Sequence, residues 1–158
     1  MLFEVPLHPL VVHFPVALII ISLLFDVVGR ATDGPWWRKA SLAMLVIAVV
    51  AGFVAGQTGE LAAEHAEKFQ GIAEETLESH GDLAKLSIWL AAGALLARLA
   101  EAGMGAARAV VSLIALLLQL AAAVSIGVAG HRGGVLVYRH GAGVTIGDQP
   151  VREPGAGR

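Results

Sequence analysis

The chain has 158 residues, 56% of them apolar and only 15% charged, and its mean hydropathy is +0.73. A water-soluble domain of this size does not carry that composition, and 11 Lys and Arg against 13 Asp and Glu leave no basic field to grip nucleic acid. The absence of cysteine excludes disulfides, thiolate metal sites, iron–sulfur clusters and covalently attached c-type haem, so any redox chemistry needs a non-covalent cofactor.

Four apolar stretches approach the roughly 20 residues a helix needs to cross about 30 Å of hydrocarbon. They run from about 9 to 28, 40 to 57, 83 to 100 and 107 to 130, and none carries more than two charges. The expectation is an all-α membrane protein, a four-transmembrane-helix bundle. The first stretch has no Lys or Arg ahead of it and no small-residue cleavage pattern behind it, so it reads as a structural helix and not a signal peptide. Pro15 within it frees the carbonyl of Val11 and predicts a kink that turns His13 into the bundle.

The first link, GRATDGPWWRKA, is tight and basic, and its Trp36 and Trp37 suit a headgroup interface. The third, EAGMGAAR, is short enough to force an antiparallel pair, with Arg98 and Arg108 at its flanks. The second, residues 58 to 82, is longer and acidic, and its spaced apolar residues predict one or two surface helices lying on the bundle or the headgroups. Basic short links place both termini outside the cytoplasm. The tail GGVLVYRHGAGV alternates apolar and polar residues, which predicts an extended or hairpin lid over residues 133 to 147, followed by a flexible tail from 148 to 158.

Antiparallel spans put the N-terminus, the second link and the tail on one face, and with them His8, His13, His65, His80, His131 and His140. His13 lies inside an apolar run, where a polar ring in lipid needs a partner. His8 and His13 are about 140° apart on a regular helix and do not both face one centre from one straight helix, so His8 either lies in a lead-in that folds over the site or is a cap. His80 opens the third span at a depth comparable to His13. His65 sits among Glu60, Glu64 and Glu67 and reads as a solvated face, and His131 as an interfacial cap. Small residues at 51, 52, 55, 91, 92 and 93 offer a slot for a flat cofactor, and Gly52 with Gly56 forms a GxxxG suited to internal packing or a homodimer.

The opening LHPLVVHFPVAL, the Thr58-Gly59 pair ending span two, a histidine opening span three and the ending GGVLVYRHGAGV together resemble the bacterial membrane family called domain of unknown function 2231, over roughly residues 1 to 145. The resemblance implies a four-helix membrane domain, found at times beside electron-transfer modules and similar to four-helix b-type cytochromes. It maps the family-type histidines to His8, His13, His80 and His140.

Three functions compete. The first is a haem b protein in electron transfer, with His13 and His80 as axial ligands, with His8, His140 or Arg139 at the propionates, and with a redox protein or a quinone as partner in the lipid bilayer. The second is a bare zinc, copper or iron site built from His8, His13, His80 and His140. The third is a structural subunit without cofactor. No GxSxG or HExxH pattern points to hydrolysis.

Overall fold

A computed structural model describes residues 7–147 and 149–151. Four helices dominate it: α1 (Leu7–Ala31), α2 (Pro35–His65), α3 (Glu74–Ala100) and α4 (Arg108–His140). All four are long and apolar enough to cross a membrane. Helices are what lipid demands, because they satisfy every backbone N–H and C=O internally. Large apolar side chains such as Leu10, Phe14, Leu24, Val50, Leu96, Val110 and Val124 point outward, as a bilayer-facing surface requires.

α1 packs on α2 and α3 on α4 as two antiparallel hairpins, joined by contacts of α2 with α3 and of α1 with α4. α1 and α3 are therefore diagonal. The core between them is built of small and branched residues, among them Ile19, Leu45, Ala48, Ala91, Ala94 and Ala122.

The two hairpins repeat each other. Buried Pro15, Ile19, Ser22 and Asp26 of α1 correspond at one constant spacing to buried Ser87, Ala91, Ala94 and Arg98 of α3. Ser41, Leu45, Ala48, Gly52 and Ala55 of α2 correspond in the same way to buried Ala115, Gln119, Ala122, Ile126 and Ala129 of α4. Equivalent positions facing one core give the bundle a pseudo-two-fold axis along its length.

Two sequence expectations change. The second link is not a pair of surface helices: α2 continues to His65, adds one π-helical turn over Ala66–Gln70, and α3 begins at Glu74. The segment GELAAEHAEKF is rich in strong helix formers with nothing to stop it before Gly71, whose left-handed φ of 73° ends the helix. With 31 residues α2 rises about 46 Å, well beyond the hydrocarbon, so its end projects from the membrane.

Nor are residues 133 to 140 extended, since they are the last two turns of α4. Val135 to Tyr138 is too short an alternation to tell strand from helix, and propagating an existing helix needs no new nucleus. Among the described residues Thr145–Ile146 and Gln149–Pro150 pair, as a short antiparallel hairpin of β1 and β2. Of the tail from 148 to 158, residue 148 and residues 152–158 lie outside the described residues. The hairpin is tied to the link by Gln70, which is buried. Its Nε2 donates to the carbonyls of Gly141 (2.8 Å) and Val151 (2.9 Å), and its Oε1 accepts from Gly143 N (2.9 Å).

At the opposite end, Arg98 Nη1 of α3 donates to fully buried Asp26 of α1, and Arg30 Nε reaches the second oxygen of that carboxylate at 2.7 Å. Arg38 bonds Glu101 at 2.7 Å. Breaking a buried ion pair from one side leaves the other charge uncompensated, at a cost of about 3–5 kcal/mol. Asp26→Leu should therefore destabilise the bundle by about that much in a detergent unfolding titration. The double variant Asp26→Leu with Arg98→Met, which removes both charges together, should recover a large part of the loss.

Candidate functional site

The rings of His8 and His80 face each other across the bundle diagonal, with centroids 6.3 Å apart and planes at 80°. His8 occupies the first turn of α1 and His80 lies two turns inside α3, so equivalent positions of the two hairpins meet near the axis. His8 Nδ1 lies 3.0 Å from the carbonyl oxygen of Ala55 on α2, and His80 Nδ1 lies 2.8 Å from that of Ala129 on α4. A carbonyl only accepts, so both Nδ1 atoms carry the proton. Each Nε2 is then the ring's lone-pair nitrogen.

A local device makes these bonds reachable. In an α-helix the carbonyl of residue i is overhung by the side chain at i+4, and here those positions are Gly59 and Gly133. A Cβ on Gly59 would stand 3.0 Å from His8 Cε1, and one on Gly133 would stand 3.0 Å from His80 Cε1. The rings lie where those side chains are missing. The same five-residue phrase builds both halves, Ala55-Gly56-Gln57-Thr58-Gly59 and Ala129-Gly130-His131-Arg132-Gly133. Gly56 and Gly130, also equivalent, have no atom within 4 Å of where a Cβ would be. The flanks differ: Thr58 Oγ1 lies 3.4 Å from His8 Nδ1, whereas Arg132 donates to the carbonyl of Ser79 at 2.9 Å.

The remaining expected residues lie elsewhere. His13 is exposed, and Pro15, not His13, takes the buried position on α1. Its expected place beside His80 is occupied by His8. His65 is exposed and stacks on Phe69, and His131 is exposed on α4. Arg139 and His140 close α4 seven residues beyond Gly133 or just short of that, about 10 Å further along the helix, with Arg139 exposed and His140 half-buried. The small residues expected to form a slot deeper in the bundle serve packing instead: a Cβ on Gly52 would meet Ile88 Cδ1 at 2.2 Å. Among the described residues no three of His, Cys, Asp and Glu gather closely enough to hold a metal ion.

Gly59→Ala and Gly133→Ala should each push a ring off its carbonyl and lower the thermal stability of the detergent-solubilised protein, by about 1 kcal/mol per lost bond. Gly127→Ala, where a Cβ meets open space on α4, should leave stability unchanged or raise it slightly.

No curated protein and no solved structure matches the chain. A family model does match, over residues 4–146, and its description is predicted membrane protein. With nearly the whole bundle inside that match, the chain belongs to the DUF2231 family of predicted membrane proteins.

Proposed function

We propose that this chain is a haem b protein of the bacterial inner membrane, carrying electrons near the periplasmic face, with His8 and His80 as the axial pair. The spacing of the rings is the observation that carries the reading. A metal–imidazole bond of about 2 Å on each side, added to roughly 1 Å from ring nitrogen to ring centre, gives about 6 Å between centroids. The two rings stand 6.3 Å apart. Their donor chemistry fits as well, because both Nδ1 protons are held by backbone carbonyls and both Nε2 lone pairs are left for a ligand.

A haem held there would supply a one-electron iron couple. The protein's part is to fix the two imidazoles in one tautomer on diagonal helices. Ala55 and Ala129 hold the rings through main-chain atoms, which no side-chain motion can displace. Bis-histidine ligation of iron by a porphyrin needs only two protein ligands, whereas a bare zinc or copper centre needs three or four.

Protein expressed with added haem should give a low-spin spectrum that sharpens on dithionite reduction. His8→Ala and His80→Ala should each abolish it or convert it to high spin. His13→Ala and His65→Ala should retain it. A colourless wild-type protein after haem supplementation, or a low-spin spectrum surviving in His8→Ala, overturns the assignment.

The orientation is tested separately. Alkaline phosphatase fused after Arg158 should be active in a bacterial host, and a fluorescent protein that matures only in the cytoplasm should be dark at the same junction.

A further inference from the structure

At the histidine end both anchoring helices run on past the rings, α2 through its π-helical turn to Gln70 and α4 to His140. A second, smaller core lies there, separate from the one inside the bundle. Ala66 and Ile72 of the link and Leu136 of α4 are buried in it, with Leu77 of α3 and Ala142 of the tail packed against them. Its place relative to the rings follows from helical spacing. Leu77 stands three residues before His80, and Leu136 three residues after Gly133, whose missing side chain makes room for the His80 ring. Residues three apart are neighbours on one helix face, so this cluster sits about one turn above His80, towards the outer end of the bundle.

One buried amide ties the tail to that cluster. Gln70 is 1% exposed, and its amide is spent on tail main chain: Nε2 donates to the carbonyls of Gly141 (2.8 Å) and Val151 (2.9 Å), with that of Val144 at 3.4 Å, and Oε1 accepts from Gly143 N (2.9 Å). The hairpin contributes little burial of its own, since Thr145 and Ile146 are both exposed. Its root is built to swing. Gly141 ends α4 at a φ of 69° and Gly143 follows at 73°, left-handed positions where the chain turns without unwinding the helix before it. A segment held by a few hydrogen bonds and small apolar contacts opens at far lower cost than the bundle unfolds.

We propose that the tail hairpin, with the link beneath it, is a hinged roof over the histidine end of the bundle, and that Gln70 is the latch that holds it shut. Opening separates Ala142 from Leu77 and Leu136 and uncovers His80, which is half-buried with the roof in place. Closing shields the ring from water and solutes on that side. The roof regulates approach to the rings whatever they bind, so it does not rest on the haem reading.

The test uses the full chain in detergent, without haem, and the variant Gln70→Glu. An ionised carboxylate keeps an acceptor for Gly143 but meets the Gly141 and Val151 carbonyls with no proton to give them. The shut roof therefore favours the protonated acid, so closure holds at low pH and is lost as the carboxyl ionises. At about pH 7 the tail amides should exchange with deuterium about tenfold faster in Gln70→Glu than in wild type, and at about pH 4 the difference should close. Carbethoxylation at neutral pH, read by mass spectrometry, attacks the free Nε2 and should label His80 severalfold faster in the variant, with exposed His13 unchanged. Gln70→Leu, which removes donor and acceptor together, should give both changes without the pH dependence, and it decides should Gln70→Glu fail to fold. Tail exchange that does not quicken shows that Gln70 is not the latch. Quickened exchange with His80 labelled no faster shows that the hairpin is not a roof, and either result overturns the proposal.

Discussion

Asp26 and Arg98 meet across the diagonal of the bundle, and the docking of one hairpin on the other depends on that pairing. Neither charge is tolerable in lipid alone. Fully buried Asp26 lies on α1, Arg98 on α3, and Arg30 and Arg38 converge on the same carboxylate from the first hairpin and its link. Apolar packing between helices discriminates poorly among registers in a solvent as apolar as the core. A directional pair at one end fixes depth, since sliding α3 by one turn would carry Arg98 away from Asp26. Gln119 on α4 adds a second register mark in the middle, donating to Ser22 Oγ at 2.8 Å, while Ser41 donates to the Ser22 carbonyl at 2.7 Å.

The pseudo-two-fold axis explains why the two ends of the bundle differ in chemistry. An axis brings equivalent positions face to face. At positions 8 and 80 the equivalent residues are both histidine, whose rings meet through ring edges and not through fixed like charges. At positions 26 and 98 identical residues would set two carboxylates or two guanidiniums together in a low dielectric, where like charges repel strongly. The repeat is therefore broken there, into an acid on one hairpin and a base on the other. Symmetry persists where like residues are compatible and fails where like charges are not.

Much of this was legible in the sequence and some was not. The spans, the antiparallel links and the gathering of histidines at one end follow from hydropathy and loop lengths alone. His13 sits deeper in an apolar run than His8, yet the stripe Pro15, Ile19, Ser22 and Asp26, extended backwards at helical spacing, passes through position 8 and misses 13. A span beginning near residue 9 leaves His8 in a lead-in, whereas the described helix already includes Leu7 and His8. The AGxxG phrase at 55–59 and again at 129–133 was the signal for both ring anchors. It is hidden by ordinary glycine and alanine usage in membrane helices, and only the acceptor carbonyl four residues before each second glycine gives it meaning. Gln70 had no sequence signal, since its role lies in holding main-chain groups of a tail 71 residues away.

The anchoring of each ring by main chain also bears on how the halves differ. A side-chain anchor, such as a carboxylate on Nδ1, would add negative charge inside the bundle end and would itself need to be held. A carbonyl of α2 or α4 adds none, and it is already fixed by the helix that presents it. The carbonyl of Ala55 accepts the Thr58 hydroxyl at 3.1 Å as well as the ladder N–H, and its face toward His8 is open because Gly59 has no side chain in the way. Ala129 is likewise open to His80 across Gly133, without a hydroxyl partner. Ring placement thus requires only a histidine on one helix and a glycine on its neighbour. The positions between differ in what they do, Thr58 donating to the Ala55 carbonyl in one half and Arg132 to the Ser79 carbonyl in the other.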